Sequence, residues 1–370
     1  MGHPAHWFAR LATRVHTISD GHEQQSDNFL LLRFIAAAMV IYGHAPAIAA
    51  TSGPPDLFLW LNWDDYSGEI AVDLFFVISG FLITGSYVRR QHLGDYIWAR
   101  FLRIVPAYAA CILVCALVVG PLFSARQFTD YFADQHVYRY VLANMTYVQS
   151  LMVWTLPEVF LPNASEVVNG SLWTLPAEVV MYVWVAALGL LTVFRRRWLS
   201  NVVVIGLFFY GYTYPDHVWL IGHKDFLHLA ALFAAGAFCY VNRAHLPNHG
   251  GFLLAAIALA YVFRASSAYA YLFGCCEVLF VFWFAYRLRW TGFNRFSDYS
   301  YGVYLWGFPA QQIVASLGYD LPAYANGLVG FALALSLGMA SWHLIEKPAL
   351  GLKGLPRALL DRMARQSSLA

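Results

Sequence analysis

The chain has 370 residues, of which 60% are hydrophobic and only 12% charged, with a mean hydropathy of +0.54 and a formal net charge of +2. A soluble domain carries about 45–50% apolar and about 25% charged residues, so a soluble core is excluded, as are a disordered chain and a coiled coil, which need far more charge. The small net charge gives no footprint for nucleic acid.

Residues 1–28 are polar and His-rich, with no apolar core or small-residue cleavage site of the kind a cleaved signal peptide needs. They are read as a cytoplasmic tail. Ten apolar runs follow, at 29–50, 69–88, 104–123, 172–194, 198–214, 225–242, 250–264, 268–287, 297–317 and 323–345. Most have the roughly 17–25 residues needed to cross a bilayer, and the seventh is short. An all-α, polytopic membrane protein is therefore expected, with a membrane domain over 29–346 and a basic cytoplasmic tail over 347–370. The stretch 124–171 mixes charged and aromatic residues and suits amphipathic or re-entrant elements at an interface. With both termini in the cytoplasm, cytoplasmic segments hold 18 of the 23 Lys and Arg residues and the opposite side four, as the positive-inside rule requires. The five cysteines all lie in apolar runs, so they read as packing residues rather than as a disulfide framework or a zinc site.

An ionisable side chain at membrane depth costs a few kcal/mol even on the mildest scales, so each is a functional candidate. Arg33 and His44 are eleven residues apart in the first run. On a helix that spacing is within about 20° of three full turns and rises about 16.5 Å, so both face one side. The plainer alternative is an arginine snorkelling to headgroups and a histidine at a helix end. Asp73 in the second run is able to orient a histidine, to pair with an arginine or to sit hydrated at the interface, and the neighbouring Ser79-Gly80 pair suits close helix approach. Arg100 and Arg103, three residues apart, point the same way and can clamp a phosphate, or can be an ordinary positive-inside cluster. Glu178 follows Pro176 into the fourth run, where a merely structural carboxylate is hard to justify. Glu277 offers no interpretable spacing, His343 suits packing, and Asn169-Gly170-Ser171 matches a glycosylation sequon that is common by chance. These residues alone allow a transporter of an anionic or lipid-linked solute, or an enzyme drawing on a cytoplasmic donor.

The motifs carrying those residues resemble the acyltransferase 3 family of bacterial integral-membrane O-acyltransferases. The resemblance runs from about residue 27 to 348. It includes Arg33, ten residues and His44; Val72-Asp73-Leu74-Phe75-Phe76 through Ser79-Gly80-Phe81; and Arg100-Phe101-Leu102-Arg103. It continues with Ser171-Leu172-Trp173-Thr174-Leu175-Pro176-Ala177-Glu178, Ser300-Tyr301-Gly302-Val303-Tyr304-Leu305-Trp306 and Glu346-Lys347-Pro348. Two positions depart from the pattern: Val179 stands where many members have a second Glu, and Gly307 where many have a His.

The resemblance implies transfer of an acyl group, acetyl above all, from cytoplasmic acyl-CoA to a hydroxyl of a cell-surface or exopolysaccharide sugar, in a bacterial inner membrane. Acetyl-CoA is then a co-substrate, no cofactor or metal is held permanently, and the acceptor is a saccharide or lipid-linked glycan. On this reading Arg33, Arg100 and Arg103 bind the donor and His44 is the general base, oriented by Glu178 or Asp73. Trp173, Tyr304 and Trp306 line the substrate pocket.

Overall fold

The computed structural model describes residues 16–23, 27–49, 56–63, 65–90, 92–214, 225–288, 290–319 and 321–355. The helices that organise the chain are α1 (Ile18–Glu23), α2 (Phe29–Ile48), α3 (Leu57–Trp60), α4 (Ser67–Arg90) and α5 (Leu93–Val114). They continue with α6 (Phe128–Ala133), α7 (Gln135–Asn144), α8 (Thr174–Leu190), α9 (Arg197–Thr213) and α10 (Phe226–Asn242). The rest are α11 (Gly250–Val262), α12 (Tyr269–Arg287), α13 (Ser300–Ser316) and α14 (Ala323–Ser341). Among the described residues β-structure is limited to two isolated bridges, Thr17–Pro247 and Ser124–Val159.

Each of the ten apolar runs forms a helix, but six are long and apolar enough to cross a membrane: α2, α4, α5 with its extension to Phe123, α8 with its leading turn, α12, and α14 with its extension to Gly354. Helices α9, α10 and α13 have 17 residues each and α11 has 13. At 1.5 Å per residue, 17 residues reach about 25 Å, short of a hydrocarbon core of roughly 30 Å.

Several boundaries differ from expectation. Helix α5 starts at Leu93 rather than 104, so Arg100 and Arg103 lie on the helix itself, and it runs on through a π turn at Cys115–Val119 to Phe123. The last helix does not stop at 345. A π turn (Trp342–Glu346) and a further helical turn (Lys347–Gly351) carry it on, and Trp98 Nε1 donates to the Leu352 carbonyl at 3.0 Å. Residues 347–354 therefore belong to the folded body. So do residues 16–23 and 27–28 at the other end: the Ile18 amide bonds the Leu246 carbonyl at 3.1 Å, and fully buried Asn28 donates to that of Leu288 at 2.6 Å. Residues 1–15 and 356–370 fall outside the described set.

The interior is built on α4 and α13. Helix α4 packs on α2 and α10, and α13 packs on α2 and α14. Nearly every side chain of α13, from Ser300 to Gln312, is buried. Backbone contact makes this density possible. A methyl group on Gly80 would overlap the carbonyl of Phe233, and one on Gly236 would overlap that of Val77, so α4 and α10 touch main chain to main chain, as small residues allow in lipid. The same closeness recurs between Gly302 of α13 and Gly338 of α14.

The stretch 124–171 folds as a cap of short helices and turns. Arg126 pairs with Asp134 at 2.5 Å and Glu158 at 3.0 Å. Gln312 of α13 holds the carbonyls of Ser165 (2.7 Å) and Val167 (2.6 Å). Asn169 is buried, accepts from the Ser171 amide and donates to the Leu305 carbonyl at 2.9 Å. The sequon is a structural turn between α13 and the cap, not an accessible modification site.

The α4–α10 contact yields a direct test. Gly80→Ala forces backbone apart and should lower thermal stability in detergent by about 1–3 kcal/mol, the usual cost of overpacking. Gly94→Ala, where a Cβ meets nothing within 4 Å, should leave the melting temperature unchanged.

Candidate functional site

A cavity of about 120 Å³ opens among α2, α4, α5, α8 and α13. Its polar lining is Arg33 from α2, Ser79 from α4, Arg100 and Arg103 from α5, Thr174, Glu178 and Tyr182 from α8, and Tyr301 and Tyr304 from α13. The i,i+3 spacing on α5 does place both guanidiniums on one wall. The apolar remainder includes Val72, Phe75 and Leu82 of α4. This volume suits an acyl group or the end of a flexible arm rather than a whole nucleotide.

Two of the three arginines already have carboxylate partners. Asp298, in the turn before α13, receives Arg33 Nη1 at 2.6 Å and Arg103 Nη2 at 2.7 Å on the same oxygen, Oδ2. Its other oxygen accepts from the Ser300 hydroxyl at 2.5 Å and the Ser300 amide at 3.3 Å. Glu346 adds a longer contact to Arg103, 3.5 Å, and is itself held by the Ser341 hydroxyl at 3.2 Å. Burial alone would push the Asp298 carboxyl up, but the Arg33 and Arg103 guanidiniums and the Ser300 bonds outweigh it and hold the group well below the usual carboxylate range.

Arg100 differs. Its Nε is buried without a hydrogen-bond partner, and its guanidinium lies over the Tyr182 ring, 5.8 Å from the centroid. The Tyr182 hydroxyl donates to Glu178 Oε1, which also accepts from Ser79 Oγ at 3.2 Å. Glu178 thus fixes the ring against which Arg100 rests.

His44 stands elsewhere on α2. Its ring packs edge-on against Phe308 at 5.3 Å, and its Nδ1 is buried with no partner. Neither carboxylate expected to orient it does so here. Glu178 is engaged with Tyr182 and Ser79, and Asp73 Oδ2 takes His228 Nε2 at 2.8 Å. Of the aromatic residues expected in the pocket, Tyr304 lines it and is pinned to Thr174 Oγ1 (2.6 Å) and the Ser171 carbonyl (2.8 Å). Trp173 and Trp306 are not among the lining residues, and buried Trp306 Nε1 has no partner.

Sequence reasoning passed over Asp298, Tyr182 and His228. His228 was detectable, being an ionisable side chain three residues into an apolar run. Asp298 stands two residues ahead of Ser300, at the mouth of the ninth run, where a charge reads as a hydrated helix end.

Asp298→Asn leaves the part-buried Arg33 without its carboxylate and Arg103 with only its longer contact to Glu346, and should destabilise the fold by about 1.5–3 kcal/mol. Because the folded-state pKa of Asp298 is depressed, its stabilising contribution is fully present above about pH 4, the unfolded value, and is lost as pH falls towards the folded one. Acid melting curves should therefore show wild type losing its advantage over Asp298→Asn below about pH 4.

No solved structure matches the chain. Among curated proteins, an O-acetyl transferase of Shigella phage Sf6 is 27% identical over 365 residues, covering 91% of this chain and 99% of its own. Nodulation protein 10 of Rhizobium leguminosarum bv. viciae is 27% identical over 369 residues, covering 90% and 95%. Protein 2 in the picA locus of Rhizobium radiobacter is 29% identical over 108 residues, a quarter of this chain and half of its own. The family model for the acyltransferase domain matches residues 27–345, from before Arg33 through the end of α14, so the chain belongs to the acyltransferase 3 family of multi-pass membrane proteins.

Proposed function

We propose that the protein is an acyl-CoA-dependent membrane O-acetyltransferase acting on a hydroxyl of a cell-surface or exopolysaccharide sugar. The observation that carries the reading is the cavity itself, in which an arginine without a carboxylate partner among the described residues, Arg100, stands beside two that are locked to Asp298. A cationic wall with one guanidinium unengaged suits an anionic donor. The acyltransferase family and the name of the phage relative support acetyl transfer. The charge bias along the sequence supports ten membrane-embedded helices with both termini in the cytoplasm of a bacterial inner-membrane protein, which puts Arg100 on the side where acyl-CoA is made.

Arg100 is assigned to the donor's phosphates, while Arg33 and Arg103, fixed by Asp298, shape the entrance. Helix α2 is unbroken from Phe29 to Ile48, so Arg33 and His44 share a face about 16.5 Å apart along the axis. The donor's long arm reaches along that face. His44 takes the proton from the acceptor hydroxyl as its oxygen attacks the thioester carbonyl. The carbon–sulfur bond breaks, and the leaving thiolate takes the proton back from His44, so the reaction consumes and releases no net proton. Glu178 is a positioning residue that acts through Tyr182.

Two measurements test this. With purified protein and labelled acetyl-CoA, His44→Ala should abolish transfer to saccharide with the melting temperature retained, and near-normal transfer would remove the general-base assignment. Absence of thioester consumption by wild type would favour a transporter.

Separately, Arg100→Ala removes a charge-assisted contact of about 1.5–3 kcal/mol and should raise the acetyl-CoA KM roughly ten-fold or more with little change in kcat. Glu178→Gln keeps an acceptor for Tyr182 and should stay within a few-fold of wild type, whereas Glu178→Leu should raise the same KM. Equal KM for Arg100→Ala and wild type would return Arg100 to a plain topology signal.

A further inference from the structure

On α13 the cavity wall is made by Tyr301 and Tyr304. Four residues on, one turn further along the same face of the helix, stands Phe308. It is 7% exposed, and its ring meets that of His44 edge-on at 5.3 Å between centroids. The wall that begins at the arginines therefore reaches the imidazole at Phe308.

The Phe308 ring also lies against main chain. A methyl group on Gly170 would come within 2.6 Å of Phe308 Cε2, so that edge of the ring has no spare room. Gly170 is held in place on both sides. Asn169 donates to the Leu305 carbonyl at 2.9 Å, and the Ser171 carbonyl accepts from the Tyr304 hydroxyl at 2.8 Å. Both bonds run to α13, the helix that carries Phe308, so backbone and ring are fixed to the same element. A packed interior of this kind yields little when a group presses on it. Phe308 is thus a rigid apolar surface beside the imidazole.

The transfer chemistry puts the acyl chain at this level. A general base works from about 2.6–3.2 Å of the hydroxyl oxygen, and that oxygen approaches the carbonyl carbon from about 3–3.5 Å. The chain attached to that carbon begins within about 7 Å of the imidazole, and the aromatic ring that adjoins the imidazole is Phe308. One methylene too many in a fitted apolar pocket costs about 10–200-fold in kcat/KM.

We propose that Phe308 determines which acyl chain is transferred, admitting acetyl and excluding propionyl and longer chains. The inference rests on the reading of His44 as the base beside the acyl-CoA carbonyl, and it adds the residue that selects the donor.

The test measures kcat/KM for acetyl-, propionyl- and butyryl-CoA on full-length protein in detergent, from the thiol released, with bacterial surface polysaccharides as acceptors. Wild type should favour acetyl over propionyl by about ten-fold or more. Phe308→Ala should raise kcat/KM for butyryl-CoA at least ten-fold over wild type, a gain that a damaged fold does not produce. Because that change also leaves a cavity, Phe308→Leu serves as the milder variant; it should admit propionyl and not butyryl. Arg100→Ala acts on phosphates common to all three donors, so it should leave their ratios as in wild type. Melting temperatures confirm folding. Equal use of the three donors by wild type, or an acetyl preference unchanged in folded Phe308→Ala or Phe308→Leu, would overturn the proposal and leave the acyl-CoA reading standing. Wild type that consumes no thioester from any of the three would overturn that reading, and this inference with it.

Discussion

One carboxylate oxygen joins parts of this protein that lie far apart along the chain. Asp298 Oδ2 binds Arg33 from the first long helix and Arg103 from the third, and Asp298 itself leads into α13. Sheltered ion pairs of this kind gain little net stability over apolar packing, but breaking one costs more because a charge is left behind away from bulk water. The pair therefore works as a registry device. It sets how α2, α5 and α13 meet, and the cavity between them follows from that.

The constraint also divides labour among three arginines that look equivalent. Arg33 and Arg103 are neutralised by Asp298, with Glu346 behind Arg103. Arg100 lies against Tyr182 instead, on a ring held by Glu178. A ligand that needs a cation finds one unengaged, presented by an aromatic surface that limits its motion. Glu178 Oε1 accepts from both Tyr182 and Ser79 and so belongs to the wall that carries Arg100.

Close backbone packing separates the two faces of α2. Glycines on α4, α10, α13 and α14 bring main chains into contact, and the residues of α13 from Ser300 to Gln312 are consequently almost all buried. The Arg33 side of α2 faces the arginine-lined cavity, while the Leu32–Ile35–Met39 side faces an apolar groove that includes Glu277. Ionisable groups at membrane depth thus fall into two sets with different surroundings, one cationic and one acidic.

Composition and run length by themselves determined an all-helical membrane protein, and the order of its motifs determined the family, since both depend on local patterns that lipid enforces on every residue. The i,i+3 spacing of Arg100 and Arg103 and the Ser79-Gly80 approach were legible for the same reason: helix geometry converts sequence distance into direction. Partner choice was not legible. Asp73 was free to meet His44 or a residue 155 positions away, and it meets His228. Asp298 reads as an ordinary hydrated helix end until Arg33 and Arg103 arrive from distant helices. Pairings of charges across helices depend on how whole faces pack, and no local pattern encodes that; only the tertiary structure decided which arginines met a carboxylate and which did not.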